Sequence, residues 1–365
     1  MKIVQLTYSL KSGGAERFVV DMANELSLDH NNQVYLVAIN DDRIPENSHY
    51  LTSLLPNVSY LCLGEKSGLS IQSFLDVLKI IIKIRPDVVH TSTDALLLFI
   101  PSLIFPSIKY IQTLHTVAEH NIACKFLKFI YRFFYKHNLI IPVNISDQCQ
   151  ISFRKYYDID NAKCIINGRA QISVTNKFGI VSDNLRALKK CENSLIFIHV
   201  ARYSPEKNQK MLFEAFSLFT KEYCDAQLII LGTGYSETLR NDVYKLCHNI
   251  HFYGSQINVG DYLANSDYYL LSSLYEGLPL SLLEAMSMGV VPICTPAGGV
   301  INVIENGVTG FLSKSFSSND FYMTIKQTVN SDTSAIRKNI VQCYQEKYSI
   351  QKCVAEYYEL YIEHI

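Results

Sequence analysis

Tryptophan is absent from the 365 residues, and charge is scarce, with 18% of positions Asp, Glu, Lys or Arg. The missing tryptophan carries no functional reading. The charge does: 33 basic and 34 acidic residues leave a formal net charge of -1. That balance excludes the broadly basic surface of a nucleic-acid binder, although a local basic patch stays compatible with it. No two of the ten cysteines have CxxC spacing; they are spread singly from Cys62 to Cys353. A chain of this length needs no covalent staples, so a zinc site or disulfide framework is not expected, and a reducing cytosol fits best. The cysteines read as small buried hydrophobes. Long apolar runs are lacking too. The longest, Ala95–Pro106, is interrupted by Pro101 and falls short of the roughly 20 residues of a membrane span. At the N-terminus, Lys2 precedes only a short apolar run without a small-residue cleavage site, so MKIVQLTYS reads as a first strand. The expectation is a soluble, cytoplasmic chain, or one peripheral on the inner face of a membrane. GxGxxG does not occur, which argues against an ordinary dinucleotide oxidoreductase.

What is present is apolar residue in quantity, 48% of the chain, enough for two buried cores at a length that predicts two domains. Short apolar runs alternate with helical spacing. Strands are expected at 2–7, 33–39, 87–90, 109–114 and 139–145. Helices are expected at 15–28, 71–84 and 124–137. A second series follows, with strands at 194–200, 227–231, 267–272 and 290–294, and helices at 209–221, 280–288 and 349–365. Alternation of this kind predicts α/β architecture with mostly parallel sheets and helices on both faces. Between the series, 168–191 is polar and aperiodic and reads as a linker. The division expected is 1–170, a linker at 171–192, a second domain at 193–345, and a C-terminal helix at 346–365 that packs back on the first domain. Doubly wound sheets bind ligands at the carboxyl ends of their strands.

Four stretches at such strand ends carry candidate chemistry. Glu276-Gly277-Leu-Pro-Leu280-Ser281-Leu-Leu-Glu284 follows a strand and opens a helix. Free N–H groups and the positive dipole end at Leu280 and Ser281 suit a diphosphate. Glu284 could accept from ribose hydroxyls and Glu276 could face sugar hydroxyls; an acidic residue near a helix start and a solvated glutamate are the other reading. Ala201-Arg202-Tyr-Ser-Pro-Glu-Lys207 puts two cations on one strand-to-helix loop, where a planar fork and a point charge can neutralise a diphosphate. Ser12-Gly13-Gly14-Ala-Glu-Arg17 lets backbone approach a ligand closely; a plain turn is the other reading. His115 closes a strand and either contacts a donor sugar or is structural. An Asp158-Ile-Asp160 string reads as a turn, and no metal or other cofactor is expected. The helix CKFLKFIYRFFYKH at 124–137 repeats Lys125, Lys128, Arg132 and Lys136 among aromatics. It suits either an anionic membrane surface or ordinary core packing with a basic outer edge.

Together these residues resemble the family-4 retaining glycosyltransferases of the GT-B fold. The E-x7-E element is Glu276 to Glu284, the SGGAER loop Ser12 to Arg17, and the R-x4-K loop Arg202 and Lys207. Asn167-Gly168, Asn144-Ile-Ser146, Asp267 with Ser272-Ser273, and Gly298-Gly299 with Gly307 and Gly310 match further family elements. The resemblance spans almost the whole chain. It implies two Rossmann-like domains facing an inter-domain cleft, the second carrying the nucleotide and the first the acceptor. It implies that Arg202 and Lys207 bind and stabilise the leaving diphosphate, that Glu284 holds the ribose and Glu276 the donor sugar, that Gly14 borders the diphosphate and acceptor, and that His115 contacts the donor sugar. The donor implied is a nucleotide diphosphate sugar, a UDP-sugar favoured, carrying a hexose or N-acetylhexosamine. The acceptor implied is a glycan or polyprenyl-linked glycan in surface-polysaccharide assembly. A nucleotide-sugar epimerase of the same architecture and a non-catalytic nucleotide-sugar binding subunit stay open as alternatives. Two positions depart from the family pattern: Arg169-Ala170 follows Asn167-Gly168 where an apolar residue and Asp are usual, and Asn302 stands where Glu is frequent.

Overall fold

The computed structural model describes residues 1–66, 70–116, 118, 125–191 and 193–363. Within 1–169 the chain runs β1 (Lys2–Thr7), α1 (Gly14–Ser27), β2 (Gln33–Asn40), β3 (Val58–Glu65), α2 (Ile71–Ile84), β4 (Val88–Thr91), α3 (Leu96–Ile104), β5 (Lys109–Leu114), α4 (Lys125–Lys136), β6 (Ile141–Asn144), α5 (Asp147–Tyr157) and β7 (Lys163–Cys164). From 170 to 348 it continues with α6 (Phe178–Arg186), β8 (Ile196–Val200), α7 (Gln209–Thr220), β9 (Gln227–Leu231), α8 (Glu237–Leu246), β10 (Ile250–Gly254), α9 (Val259–Leu263), β11 (Tyr268–Leu271), α10 (Leu280–Ser287), β12 (Val291–Cys294), α11 (Val300–Val303), β13 (Phe311–Leu312), α12 (Ser318–Val329) and α13 (Ser334–Cys343). Helix α14 (Ile350–Ile362) ends the described chain. Two compact units result: Met1–Arg169 with Ser349–Ile365, and Ala170–Tyr348.

Each unit is built on one parallel sheet. The first has strand order β3-β2-β1-β4-β5-β6-β7 and the second β10-β9-β8-β11-β12-β13. In both, the order reverses beside the first strand, at β1/β4 and at β8/β11, which is where α/β sheets open a crevice for ligands. The central strands are buried because helices cover both faces of the sheets. Thus β11, YYLL, and β12, VPIC, are buried at every position. Helix α1 buries Phe18, Val19, Met22, Ala23 and Leu26 at helical spacing. Helix α2 starts at a reciprocal Ser70/Ser73 capping box and stops at Arg85 in the left-handed region, just before Pro86.

The segment expected as an aperiodic linker is structured. It contains α6, whose Val181 and Leu185, four residues apart, pack into the second unit's core. Two buried positions among polar neighbours are too few to register as a periodic pattern, yet they seat one helical face. Upstream, the Asp261 carboxylate accepts from Thr175 N at 2.6 Å and from Thr175 Oγ1 at 2.7 Å. The second unit therefore begins at Ala170 and not at 193, and the return to the first unit falls at Ser349.

Within the first unit, α14 is tied to the sheet by a buried polar chain. His90 Nδ1 lies 2.6 Å from the Tyr361 hydroxyl and His90 Nε2 lies 2.7 Å from Thr113 Oγ1. Thr113 Oγ1 in turn meets the Tyr357 hydroxyl at 2.7 Å. Lys109 Nζ donates to the carbonyls of Leu360 and Glu363, capping the helix end. Burial pushes the His90 imidazole down to about 3, with His115 nearby adding to the effect, and burial holds His199 at about 4. Both are neutral when folded and take protons near 6.5 when unfolded. Their contribution to stability is therefore present above about pH 6.5 and is lost as pH falls towards 4. The melting temperature is expected to drop progressively over that interval in a thermal-melt series; a flat profile would mean these rings are not buried neutral.

Candidate active site

In the second unit, the loop after β8 is clamped from both sides because β8 lies between β9 and β11 in the sheet. On the β9 side, Tyr203 N donates to Thr233 O at 2.8 Å, and the Tyr235 hydroxyl donates to Ala201 O at 3.0 Å. Gly232 has φ 144°, and a Cβ there would stand 2.0 Å from Ala201 O, so a side chain is excluded by both strain and space. On the β11 side, Ser272 Oγ donates to Lys207 O at 2.7 Å and Leu274 N to Glu206 O at 2.8 Å. Gln209 Nε2 holds Arg202 O at 2.7 Å from within the buried start of α7.

This clamping brings Lys207 to Glu276. Lys207 Nζ lies 2.6 Å from Glu276 Oε1, and Ser273 Oγ donates to the same oxygen at 2.6 Å. Glu276 is only 8% exposed. A carboxylate so enclosed needs such hydrogen-bonding partners. Arg202 is placed differently. Its side chain is largely exposed, and its NH2 lies 2.9 Å from Glu206 Oε1, one turn along the loop.

The segment from Glu276 to the start of α10 is shaped by the paired glycines that follow β12. Gly299 N donates to Glu276 O at 2.8 Å. A Cβ at Gly298 would stand 2.2 Å from Glu276 O, and one at Gly299 would stand 1.6 Å from Gly277 O. Backbone lies directly on backbone here, and only glycine permits it. Helix α10 then opens at Leu280 behind Pro279, which supplies no side-chain cap; the first intrahelical bond comes from Leu282 N. The N–H groups of Leu280 and Ser281 thus precede the hydrogen-bonded ladder, as at any helix start. Ser281 Oγ is engaged by the Tyr269 hydroxyl at 2.8 Å. The Tyr269 phenol is pushed up chiefly by burial, against the hydrogen bond with Ser281, and the nearby Glu276 and Glu284 carboxylates raise it further. Both glutamates of the E-x7-E element are therefore electrostatic neighbours of one buried hydroxyl. Glu284 itself is half-buried.

In the first unit, Gly13 and Gly14 join β1 to α1, with Gly13 as the N-cap in extended backbone. The Glu16 carboxylate folds back over this turn: its Oε2 would stand 2.2 Å from a Cβ on Gly13. Burial raises the Glu16 pKa, against the pull of its own backbone N–H and of Lys11. His115 follows β5. Its ring meets Phe18 edge-on at 5.4 Å, and its Nδ1 lies 3.4 Å from Asn167 Nδ2. Its Nε2 is enclosed and has no hydrogen-bond partner among the described residues. Burial pushes the imidazole down to about 4, so the ring is neutral at pH 7.

The Asp158–Asp160 string sits where α5 ends, with Asp158 as a left-handed C-cap. Its two carboxylates go to different arginines, Asp158 to Arg132 at 2.8 Å and Asp160 to Arg154 at 2.7 Å. Among the described residues no group of three or more His, Cys, Asp or Glu is arranged to hold a metal. The sequence places Ser273 in a family element without giving it a role, and does not single out Gln209 or Tyr269. The role of such a Ser or Gln shows only once its partner is known, and Tyr269 reads as an ordinary strand residue.

Both halves of the chain match known proteins. Residues 182–343 match the model described as glycosyl transferases group 1, and residues 12–166 match glycosyltransferase family 4. An uncharacterized glycosyltransferase of Methanocaldococcus jannaschii is 27% identical over 237 residues, 60% of this chain and 58% of that relative. The chain thus spans a little over half the length of that protein. A UDP-Gal:alpha-D-GlcNAc-diphosphoundecaprenol alpha-1,3-galactosyltransferase of Escherichia coli is 26% identical over 326 residues, 84% of this chain and 83% of that one. Among solved structures, a glycosyltransferase from Rickettsia africae superposes with a TM-score of 0.79 at 20% identity, covering 99% of this chain and 98% of the other. Anabaena HepE in complex with UDP-glucose superposes with a TM-score of 0.76 at 19% identity, covering 99% of this chain and all of the other. With two Rossmann-like sheets, an E-x7-E element on the second, and both halves matched, the chain belongs to the family-4 glycosyltransferases of the GT-B fold.

Proposed function

We propose that the protein moves a hexose or N-acetylhexosamine from a UDP-sugar to a glycan or lipid-linked acceptor, with retention at the anomeric carbon. The observation that carries this reading is the contact of Lys207 with Glu276 at 2.6 Å, at the carboxyl ends of the adjacent strands β8 and β11. A cation and a sugar-binding carboxylate held together there suit the two ends of a glycosyl-phosphate bond. In the reaction, the bond from the anomeric carbon to the diphosphate breaks and its electron pair goes to the phosphate oxygen. Lys207 and Arg202 stabilise that charge, with the N–H groups at Leu280 and Ser281 and the close backbone at Gly277 assisting. Glu276 accepts from the sugar hydroxyls and Glu284 from the ribose. The acceptor hydroxyl bonds to the same face of the sugar and passes its proton to the departing phosphate.

His115, whose ring is neutral and whose Nε2 has no hydrogen-bond partner among the described residues, is assigned to a donor-sugar hydroxyl. Gly13 and Gly14 are assigned to the diphosphate and acceptor side. Support for a UDP donor comes from the Anabaena protein solved with UDP-glucose, and support for a lipid-linked acceptor from the Escherichia coli relative named for one.

Incubation with labelled UDP-sugars and a lipid extract should yield labelled glycolipid or glycan. A free isomerised sugar as the only product would replace this reading with epimerisation, and donor binding without turnover would replace it with a binding subunit. Metal is not required in this scheme. EDTA should leave the initial rate unchanged, whereas a rate abolished by EDTA and restored by manganese would bring the Asp158–Asp160 pair back into consideration.

A further inference from the structure

One helical layer of the first unit has an apolar outer surface. Helices α2, α3 and α4 connect β3 to β4, β4 to β5 and β5 to β6, all advancing in the same direction across the sheet. Right-handed crossovers therefore lay all three on one face. They touch in sequence: α2 packs on α3, and Phe99 of α3 stacks on Phe134 of α4 at 4.2 Å and meets Tyr131 at 4.9 Å. On the outside of this layer Ile71 and Ile82 of α2, Ile100, Leu103 and Ile104 of α3, and Phe129 and Phe133 of α4 are each more than half exposed. The exposed stripe of α3 contains no polar side chain, and the helix, LLLFIPSLI, contains no charge at all. A helix on an aqueous surface carries polar residues on its outer face, and apolar exposure continued across three neighbouring helices marks an interaction surface.

The structure also revises the reading of α4. Two of its cations turn to protein partners, Lys128 over the Tyr156 ring at 4.5 Å and Arg132 to Asp158, while Phe129 and Phe133 face outward. The Lys125 side chain, like Cys124, lies outside the described residues. The layer is nonetheless strongly basic. Lys79, Lys83, Lys125, Lys128, Arg132 and Lys136 stand against Asp76 alone in the three helices, in a chain whose overall charge is -1.

We propose that this α2–α3–α4 face docks on an anionic lipid surface, with Ile100, Leu103 and Ile104 entering the headgroup–acyl boundary and Lys83 and Lys136 meeting the headgroups. Charge decides the occupant. A second copy of the chain would bring the same excess of cations against this one, whereas anionic lipid satisfies both the cations and the apolar ridge. Among the described residues no helix is long and apolar enough to cross a membrane, so contact is interfacial. The proposal does not depend on the transferase reading.

The test is co-sedimentation of the full chain with phosphatidylcholine vesicles, with and without phosphatidylglycerol. Binding is expected only when phosphatidylglycerol is present. The triple replacement Ile100→Gln, Leu103→Gln, Ile104→Gln should weaken it at least about tenfold, and Lys83→Gln with Lys136→Gln should weaken it about tenfold or more. Circular dichroism melts check that each variant stays folded. Phe129→Ser with Phe133→Ser serves in place of the triple variant if that one unfolds. Undiminished vesicle binding by the folded apolar variants overturns the proposal. So does an oligomer in gel filtration that these same variants convert to monomer while vesicle binding is absent.

Discussion

Replacing Lys207 by alanine is expected to lower kcat/KM for the sugar nucleotide by about 10²–10³-fold, the usual loss when one group that stabilises developing charge is removed. The same change should also cost stability. It strips the cation from Glu276, an enclosed carboxylate then left with Ser273 as its remaining partner in this contact, and a buried charge that loses its counter-ion is penalised. The two effects separate in a second variant. Adding Glu276→Gln to Lys207→Ala removes the stranded charge, so the melting temperature should recover while turnover stays low. Near-normal turnover of the single variant Lys207→Ala, assayed below its own melting temperature, would reduce Lys207 to a structural role. Arg202 offers the contrast. Its contact with Glu206 is exposed and local, and such surface pairs contribute little to stability. Arg202→Ala should therefore leave the melting temperature nearly unchanged while still lowering turnover by orders of magnitude. Near-normal turnover in that variant would remove Arg202 from the diphosphate site.

The largest stability effect is expected at Arg169. Its guanidinium is buried against Asp21 of α1, which Arg17 also contacts at 3.0 Å. Around it the backbone is pinned. Arg169 pairs with Ser349 in an isolated bridge, Ile350 N donates to Arg169 O at 3.1 Å, and a Cβ on Gly168 would stand 2.5 Å from Ser349 O. Arg169→Ala leaves Asp21 with less compensation in a site that water does not reach. Breaking a buried pair in this way costs about 3–5 kcal/mol, and the lower end applies because Arg17 remains. Urea unfolding should register that loss. Arg169→Met with Asp21→Asn should recover part of it, since the pair is then removed as a whole. A midpoint unchanged in Arg169→Ala would mean the pair contributes nothing.

Arg169 also shows where the limits of sequence reading lay. The position departs from the family pattern, and as a letter after Asn167-Gly168 it read only as an irregular linker residue. Its partner Asp21 lies 148 positions away, and no local pattern joins the two. The helix inside the expected linker escapes its own sequence for a related reason. Helix α6 buries just Val181 and Leu185, so its helical character is decided by what those two side chains pack against. Helix α4 was legible as a basic aromatic helix, but which stripe faces water depended on Tyr156 and Asp158 from α5 and its C-cap. By contrast β1, α2, β5 and β9 were readable to the residue, because each is a run of apolar residues bounded by its own turn or cap.

Local spacing and composition already set the two alternating series, the strand ends on which the candidate residues sit, and the charge balance. Long-range packing settles that Lys207, and not Arg202, is bound to Glu276, that Ser273 shares that carboxylate, and that Arg169 is buried on α1. The reason is physical: a parallel sheet whose order reverses at β8 and β11 places side by side two loops about seventy residues apart in the chain, and hydrogen bonds between such loops leave no trace in either loop's own sequence.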